Sequence, residues 1–256
     1  MSVLRKVSIV VLASALAGHV SIAEPNRQSI YEQALASESR FEGDAARDAG
    51  RNPAAVLKFL GITPGMTVLD MFSGGGYYSE ILANVVGDSG NVVAHSNTAY
   101  LNFVGEEFVN RYKAGRLANV DILMAENNKL RLDENHYDAI FMGLAYHDIY
   151  WVNPDNGWHE IDGDKFRAEL LKSLKPGGVL GITDHSAGPE TSRSDAIPLH
   201  RIDKAIVIAD LEAAGFELVE ESDVLRNPDD DYSKNVFAEG IRGNTDRFVL
   251  KFRKPE

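Results

Sequence analysis

Residues Val68 to Glu80, Val-Leu-Asp-Met-Phe-Ser-Gly-Gly-Gly-Tyr-Tyr-Ser-Glu, constrain the fold more tightly than any other stretch of this chain. Thr67 to Met71 is a short apolar run with one acid, Asp70, near its end. Three glycines follow, and Tyr77 to Val86 then repeats its apolar residues at helical spacing. A buried strand, a glycine turn and a helix make the opening unit of an α/β domain built to hold a nucleotide-like ligand. Glycine lets the main chain turn sharply and lets a ligand lie directly on it. The helix start then presents unpaired N–H groups.

The rest of the chain alternates in the same way. Asn52-Pro53 is a helix start, with a capping side chain before a proline in the first turn, and Gly61 is the matching stop. Strands are predicted at Asn91–His95, Val120–Met124, Tyr137–Leu144 and Val179–Thr183, with helices at Thr98–Ala114, Lys165–Leu174 and Ile202–Ala214. Phe216–Ser222 and Arg247–Phe252 are two more strands with no helix between them, so they are expected to pair antiparallel at one edge. Strand–helix alternation implies a mostly parallel sheet covered on both faces. At 256 residues, without repeats or low-complexity tracts, one domain is the simplest organisation.

Composition excludes several classes. A formal net charge of -12 without a basic stripe argues against nucleic acid, whose phosphates need clustered Lys and Arg. The absence of cysteine removes disulfides, thiolate metal sites and cysteine nucleophiles. At the N-terminus, Arg5-Lys6, the apolar run Val7–Gly18 and the small residues around Ser21-Ile22-Ala23 read as a secretory leader. The run is shorter than the about 20 residues a spanning helix needs. Residues 1–23 are therefore expected to be removed, leaving one domain over 24–256 with no membrane span and an exported location.

Asp-Met-Phe-Ser-Gly-Gly-Gly (70–76), Tyr-Asp-Ala-Ile (137–140), Leu-Leu-Lys-Ser-Leu-Lys-Pro-Gly-Gly-Val-Leu (170–180) and Ala-Gly-Phe (214–216) occur in this order. Together they resemble the successive motifs of class I S-adenosylmethionine-dependent methyltransferases. Arg-Asp-Ala-Gly-Arg-Asn-Pro (47–53), the Gly-Gly-Gly-Tyr-Tyr turn and Arg-Gly-Asn-Thr-Asp-Arg-Phe (242–248) resemble, more narrowly, a bacterial subfamily of predicted methyltransferases that often carry a leader, which makes the periplasm the expected destination. The resemblance implies a Rossmann-like, seven-stranded, mostly parallel sheet with a reversed last strand and helices on both faces. It implies S-adenosyl-L-methionine as cofactor and a small or medium molecule as methyl acceptor. It assigns cofactor contacts to Asp70, Gly74, Gly75 and Gly76 at the first turn, to Ser96 after the second strand and to Glu126 and Asn127 after the third, while Gly143 and Leu144 border the transfer centre. Two departures stand out: Phe72 replaces the first glycine of the family turn, and Ser96-Asn97 stand where a ribose-gripping carboxylate is usual. A hydroxyl accepts fewer bonds than a carboxylate.

Methyl transfer needs alignment of acceptor and methyl carbon and, for a hydroxyl or amine acceptor, loss of a proton. Ligands of such sheets sit at the carboxyl ends of the strands. His147 and Asp148, after the fourth strand, and His185, after the fifth, are the catalytic candidates, with His147 first as base or orienting group. His200-Arg201 opens the following segment, where Arg201 is a candidate for fixing an anion. His147, Asp148, Asp184, His185 and His200 are also capable of converging on a divalent ion, but no local spacing compels it and no metal is assigned. Arg51 is the best candidate, ahead of Arg47 and Asp48, to fold over the cofactor's carboxylate. Tyr150, Trp151 and Trp158 form an aromatic loop suited to walling a substrate, and Asn227–Asp231 lies on a connection longer than a hairpin needs. Two rival readings keep the fold: a non-catalytic periplasmic binding protein, and a nicotinamide-dependent oxidoreductase. The second requires a Gly-x-Gly-x-x-Gly spacing that Gly74-Gly75-Gly76 does not provide.

Overall fold

The computed structural model describes residues 27–189 and 191–256. The leader expected at residues 1–23, and the mature start after it, lie outside the described residues.

In chain order the helices are α1 (Arg27–Leu35), α2 (Ala45–Arg51), α3 (Pro53–Leu60), α4 (Tyr77–Val86), α5 (Thr98–Val104), α6 (Glu106–Tyr112), α7 (Gly163–Ser173), α8 (Arg193–Ala196) and α9 (Lys204–Ala213). The strands are β1 (Thr67–Met71), β2 (Asn91–Ser96), β3 (Val120–Met124), β4 (Tyr137–Gly143), β5 (Leu174–His185), β6 (Glu217–Ser222) and β7 (Arg247–Arg253). They form one seven-stranded sheet in the order β3-β2-β1-β4-β5-β7-β6. β1 to β5 run parallel, and β7 enters antiparallel between β5 and β6. The expected antiparallel pair is present, with β6 rather than β7 at the edge. This is the Rossmann-like arrangement with a reversed last strand.

Strand periodicity divides the core. Along β1, Leu69 and Met71 face one side with Ile140, Met142, Leu180, Ile182, Leu250 and Phe252, under Phe166 and Leu170 of α7 and Val207 and Leu211 of α9. Val68 faces the other side with Val92, Ala139, Phe141 and Val249, under Leu57 and Leu60 of α3 and Ile81 and Val85 of α4. Central strands buried on both faces therefore read as continuous apolar runs. A fully buried Leu or Val contributes about 1.5–3 kcal/mol, so the two layers clamp the sheet between them.

Several boundaries differ from expectation, four of them for a visible reason. The single helix expected over Thr98–Ala114 is split, because Gly105 takes φ 55 and turns the chain between α5 and α6. β5 begins at Leu174 rather than Val179, its start pairing with Tyr137 across a register shift. α9 starts at Lys204, since the Asp203 side chain caps it by accepting from Ala205 N (2.8 Å). α2 was not anticipated; it ends where Asn52 adopts a left-handed conformation (φ 39) before Pro53 opens α3.

Because β1 to β5 are parallel, the ends after Met71, Ser96, Met124, Gly143 and His185 share one rim. β7 runs the other way, so its first residue, Arg247, is brought to the same rim opposite His185. Among the described residues no helix is long and apolar enough to cross a membrane.

Candidate active site

A cleft of about 1250 Å³ opens at this rim. Its floor includes Ser73, Gly74 and Gly75; Gly143, Leu144, His147, Asp148 and His185 border it on the β4–β5 side. Arg51, Arg247, Trp151, Trp158 and Phe237 also line it.

The glycine turn is held from below. Ser73 N donates to His95 O (2.9 Å), and Gly76 (φ 79) lets the chain swing into α4. A Cβ at Gly76 would stand 2.4 Å from Arg111 Cδ, so glycine is required by space as well as by conformation. Arg111 itself is fully buried: its Nε donates to Gly75 O, and its Nη1 pairs with Asp44 (2.7 Å) and Glu80 (2.5 Å). Asp70 does not face the cleft. It lies under the turn, where it accepts from Ser79 Oγ (2.6 Å), and burial pushes its carboxyl up to about 7. Phe72 takes a left-handed conformation (φ 56), which draws its ring into the core against Tyr100 (5.1 Å) and Phe166 (5.6 Å).

After β2 and β3 the side chains are largely committed to one another. Asn97 Oδ1 caps α5 at Tyr100 N, and its Nδ2 donates to Asn127 Oδ1 (both 2.8 Å). Glu126 Oε1 accepts from Thr98 N (3.2 Å) and Thr98 Oγ1 (2.5 Å), so that oxygen is spent on the helix start. His95 is kept neutral, burial lowering it to about 4; its Nε2 bonds Ala125 O (2.9 Å) and ties the ends of β2 and β3 together. Ser73 Oγ, Ser96 Oγ and Asn127 Nδ2 are among the buried polar atoms of the described residues that have no hydrogen-bond partner. They stand after β1, at the end of β2 and after β3, in a row along the rim.

The β4–β5 side carries the ionisable groups. His147 and Asp148 sit on a single 3-10 turn, Tyr146–Ile149, directly after β4. His147 Nδ1 bonds Asp184 Oδ1 (2.8 Å) and its main-chain N donates to Asp184 Oδ2 (2.8 Å). Burial opposes a charge on this ring, but Asp148 and Asp184 outweigh it and raise His147 to about 9. Held between the two carboxylates, the ring is fixed in place to orient a nucleophile, one of the two roles expected of it. His185 goes the other way: burial and the charges of His147 and Arg247 hold it well below the usual imidazole range, and its Nδ1 bonds Thr245 Oγ1 (2.6 Å). Tyr100 OH donates to Asp148 Oδ2. His200 arrives in a left-handed conformation (φ 55), with its Nδ1 3.2 Å from His147 Nε2.

The arginines separate clearly. Asp48 accepts from Arg40 and Tyr77, and Arg47 pairs with Asp44 and Glu107. Arg51 instead lies over the Tyr77 ring (4.5 Å) with no carboxylate partner among the described residues, and burial lowers its pKa. Arg201 is not available to a ligand: it forks onto Asp230 (2.8 and 3.0 Å) and both are buried. The long connection before β7 is thus a strut anchored on Asp230. Arg247, to which the sequence alone assigned no role, is held by the carbonyls of Thr245 (3.2 Å) and Gly243 (2.9 Å), leaving a second cation on the cleft without a carboxylate partner among the described residues. The aromatic loop is half-buried: Trp151 packs at a tilt against His200 (4.7 Å) and Trp158 against Tyr100 (5.1 Å). Of the predicted site residues, Arg51, Gly74, Gly75, His147, Asp148 and His185 line the cleft; Asp70, Gly76, Ser96, Glu126 and Asn127 stand behind or beside it.

Comparison with known proteins agrees with this geometry. The family model described as Protein-L-isoaspartate(D-aspartate) O-methyltransferase matches residues 26–151. A ubiquinone/menaquinone biosynthesis C-methyltransferase, UbiE, of Shewanella halifaxensis is 27% identical over 196 residues, covering 76% of this chain and 66% of the relative. The Vibrio vulnificus protein of the same name is 26% identical over 194 residues, covering 74% of this chain and 69% of its own. The first of these relatives is thus spanned over slightly less than two thirds of its length. The crystal structure of a SAM-dependent methyltransferase from Aquifex aeolicus superimposes with a TM-score of 0.58 at 25% identity, covering 90% of this chain and 100% of that one. In fold, in its rim-side glycine turn and in its relatives the chain is similar to the class I S-adenosylmethionine-dependent methyltransferases.

The residues present fit that cofactor. Gly74 and Gly75 lie on the cleft floor without side chains, with Glu107 packed beside Gly75. The unpartnered Ser73 Oγ, Ser96 Oγ and Asn127 Nδ2 offer hydrogen bonds that the protein does not use itself. Arg51 leaves a guanidinium on the same cleft, a group that would fit the cofactor's carboxylate.

Proposed function

We propose that this protein methylates a small acceptor bearing a flat ring and an oxygen or nitrogen nucleophile, and that it does so after export from the cytoplasm. One observation carries the first part: the glycine turn and the His147–Asp148–His185 group open into a single cleft, so donor and acceptor meet without crossing the protein. The aromatic walls Trp151, Trp158 and Phe237 favour a flat acceptor. That the related UbiE proteins are named for C-methylation in quinone biosynthesis is in keeping with a ring-shaped substrate.

When bound, the cofactor supplies a sulfonium methyl carbon open to in-line attack. This chain's own residues hold the partners. Arg51 and the Gly74–Gly75 main chain take the amino-acid end of the donor, while Ser73, Ser96 and Asn127 take its polar groups along the rim. Phe237 and the two tryptophans clamp the acceptor ring and keep water out. His147, locked by Asp184, orients the nucleophile, and neutral His185 accepts a hydrogen bond from it without adding charge.

Isothermal titration of the purified chain with S-adenosylhomocysteine tests the reading. Saturable binding in the micromolar range is expected, together with at least a tenfold loss in Gly75→Val, whose side chain would fill the floor. Absence of heat in the wild type at millimolar ligand would overturn it. The exported location is supported by the Arg5-Lys6, Val7–Gly18 and Ser21–Ala23 pattern. Cell fractionation with N-terminal sequencing is expected to find a periplasmic chain starting at Glu24; a cytoplasmic chain that keeps Met1 would contradict it.

A further inference from the structure

We propose that His147, Asp148 and His200 form a binding site for a first-row divalent transition ion of the Zn²⁺ class, open to the cleft and placed to draw electron density from the acceptor's nucleophilic atom. The inference rests on the methyl-transfer reading only for what the ion would do; the site itself rests on geometry.

Three ligand atoms converge. His147 Nε2 is 3.2 Å from His200 Nδ1 and 3.3 Å from Asp148 Oδ1, and the last two are 3.8 Å apart. A tetrahedral ion with bonds of about 2.1 Å separates its ligands by about 3.4 Å, so one position lies within bonding range of all three. As a hydrogen-bonded group the same trio is poorly matched, with contacts at or beyond 3.2 Å. Two imidazoles and one carboxylate suit Zn²⁺ and its neighbours in the series better than Ca²⁺ or Mg²⁺, which take oxygen ligands.

The surroundings point the same way. His147 Nδ1 is engaged by Asp184 (2.8 Å), which directs Nε2 toward the other two ligand atoms; carboxylate–histidine–metal sites share this arrangement. Tyr100 OH occupies Asp148 Oδ2 and leaves Oδ1 to the trio. Asp148 and Asp184 are buried, and among the described residues no lysine or arginine pairs with either. Buried carboxylates are paired or coordinate metal. Trp151 packs on the outer face of the His200 ring (4.7 Å), and Arg201, the next residue, is pinned to Asp230, so the third ligand is positioned by packing rather than left on a free loop. All three residues line the cleft, so the fourth coordination position opens where an acceptor would lie. An ion there lowers the pKa of a bound hydroxyl.

The test uses the full purified chain, stripped with chelator and titrated with ZnCl₂ by calorimetry, with Co²⁺ absorption reporting coordination geometry. One equivalent of Zn²⁺ is expected, with a tetrahedral-type visible Co²⁺ spectrum. His200→Ala and Asp148→Asn are each expected to weaken Zn²⁺ at least about 100-fold and abolish that spectrum, and Asp184→Asn to weaken it about 10–100-fold through His147. His159→Ala, an exposed histidine away from the cluster, controls for surface binding and should change nothing. Because Asp148 is buried, circular dichroism checks that Asp148→Asn is folded; the half-buried His200 gives a second variant independent of it. No stoichiometric Zn²⁺ in the wild type, or equal loss in His159→Ala and His200→Ala, would overturn the proposal. S-adenosylhomocysteine titrated into the same samples separates the two readings: donor binding without metal binding refutes the ion site alone, and the reverse refutes the methyl-transfer reading.

Discussion

Arg111→Met is the perturbation that probes the foundation of the cofactor turn most directly. Arg111 is wholly buried beneath the glycines, donating to Gly75 O and pairing with Asp44 (2.7 Å) and Glu80 (2.5 Å). Methionine keeps most of the stem's packing but strands two buried carboxylates. Breaking a buried pair by removing one partner costs about 3–5 kcal/mol, because the remaining charge stays in the interior. Here Glu80 keeps Arg116 (2.6 Å) and Asp44 keeps Arg47, so the lower end, about 3 kcal/mol, is expected. At roughly 2–4 °C per kcal/mol for a domain of this size, Tm should fall by roughly 6–12 °C. Gly75 O also loses its donor, and the loosened turn should weaken S-adenosylhomocysteine about tenfold, equivalent to about 1.4 kcal/mol. Urea unfolding and calorimetry measure the two effects separately. Arg47→Gln, on a partly exposed arginine, should cost less than about 1 kcal/mol. If stranded charge is the cause, adding Asp44→Asn to Arg111→Met should restore part of the loss. An Arg111→Met protein within about 1 kcal/mol of wild type, or no recovery in the double variant, would refute the reasoning.

Three further outcomes follow from the same geometry. Asp70 has a native carboxyl pKa of about 7, raised by burial above the unfolded value, so the folded state holds a proton that the unfolded chain releases; its stabilisation is full below about pH 4 and is lost as pH rises through about 7. Urea melts from pH 5 to 8 should therefore show wild-type stability falling relative to Asp70→Asn, and a flat difference would contradict the burial argument. Ser96→Ala removes a buried hydroxyl that has no protein partner, so unliganded stability should stay level or rise slightly, whereas donor affinity falls by about 0.5–1.5 kcal/mol; equal loss in both would mean that the hydroxyl serves the fold. Arg51→Gln should weaken the donor at least about tenfold with unchanged or improved thermal stability, since the native guanidinium is half-buried without a carboxylate partner among the described residues; unchanged affinity by calorimetry would place the donor's carboxylate elsewhere.

How much of this was legible beforehand depends on the range of the interactions. β1 and β3 lie where their apolar runs end, and α4 begins right after Gly76, because period and glycine conformation act over a few residues. The turn over Gly74 and Gly75, and the position of His147, Asp148 and His185 at strand ends, were readable for the same local reason. The break at Gly105 was written in the sequence too, but a lone glycine inside an apolar-periodic stretch does not announce whether it kinks or is tolerated.

The rest was decided by tertiary structure. Arg247 reaches the cleft only because β7 is threaded antiparallel next to β5, which sets it across from His185; nothing near residue 247 encodes that neighbour. Arg201 is a substrate anchor on sequence alone and a structural strut once Asp230, 29 residues later, folds back onto it. Whether His147 carries a proton depends on Asp184, 37 residues away, and its approach to His200 spans 53. Charge, burial and ligand convergence act through space over a few ångströms, and only the completed sheet determines which distant residues share that space.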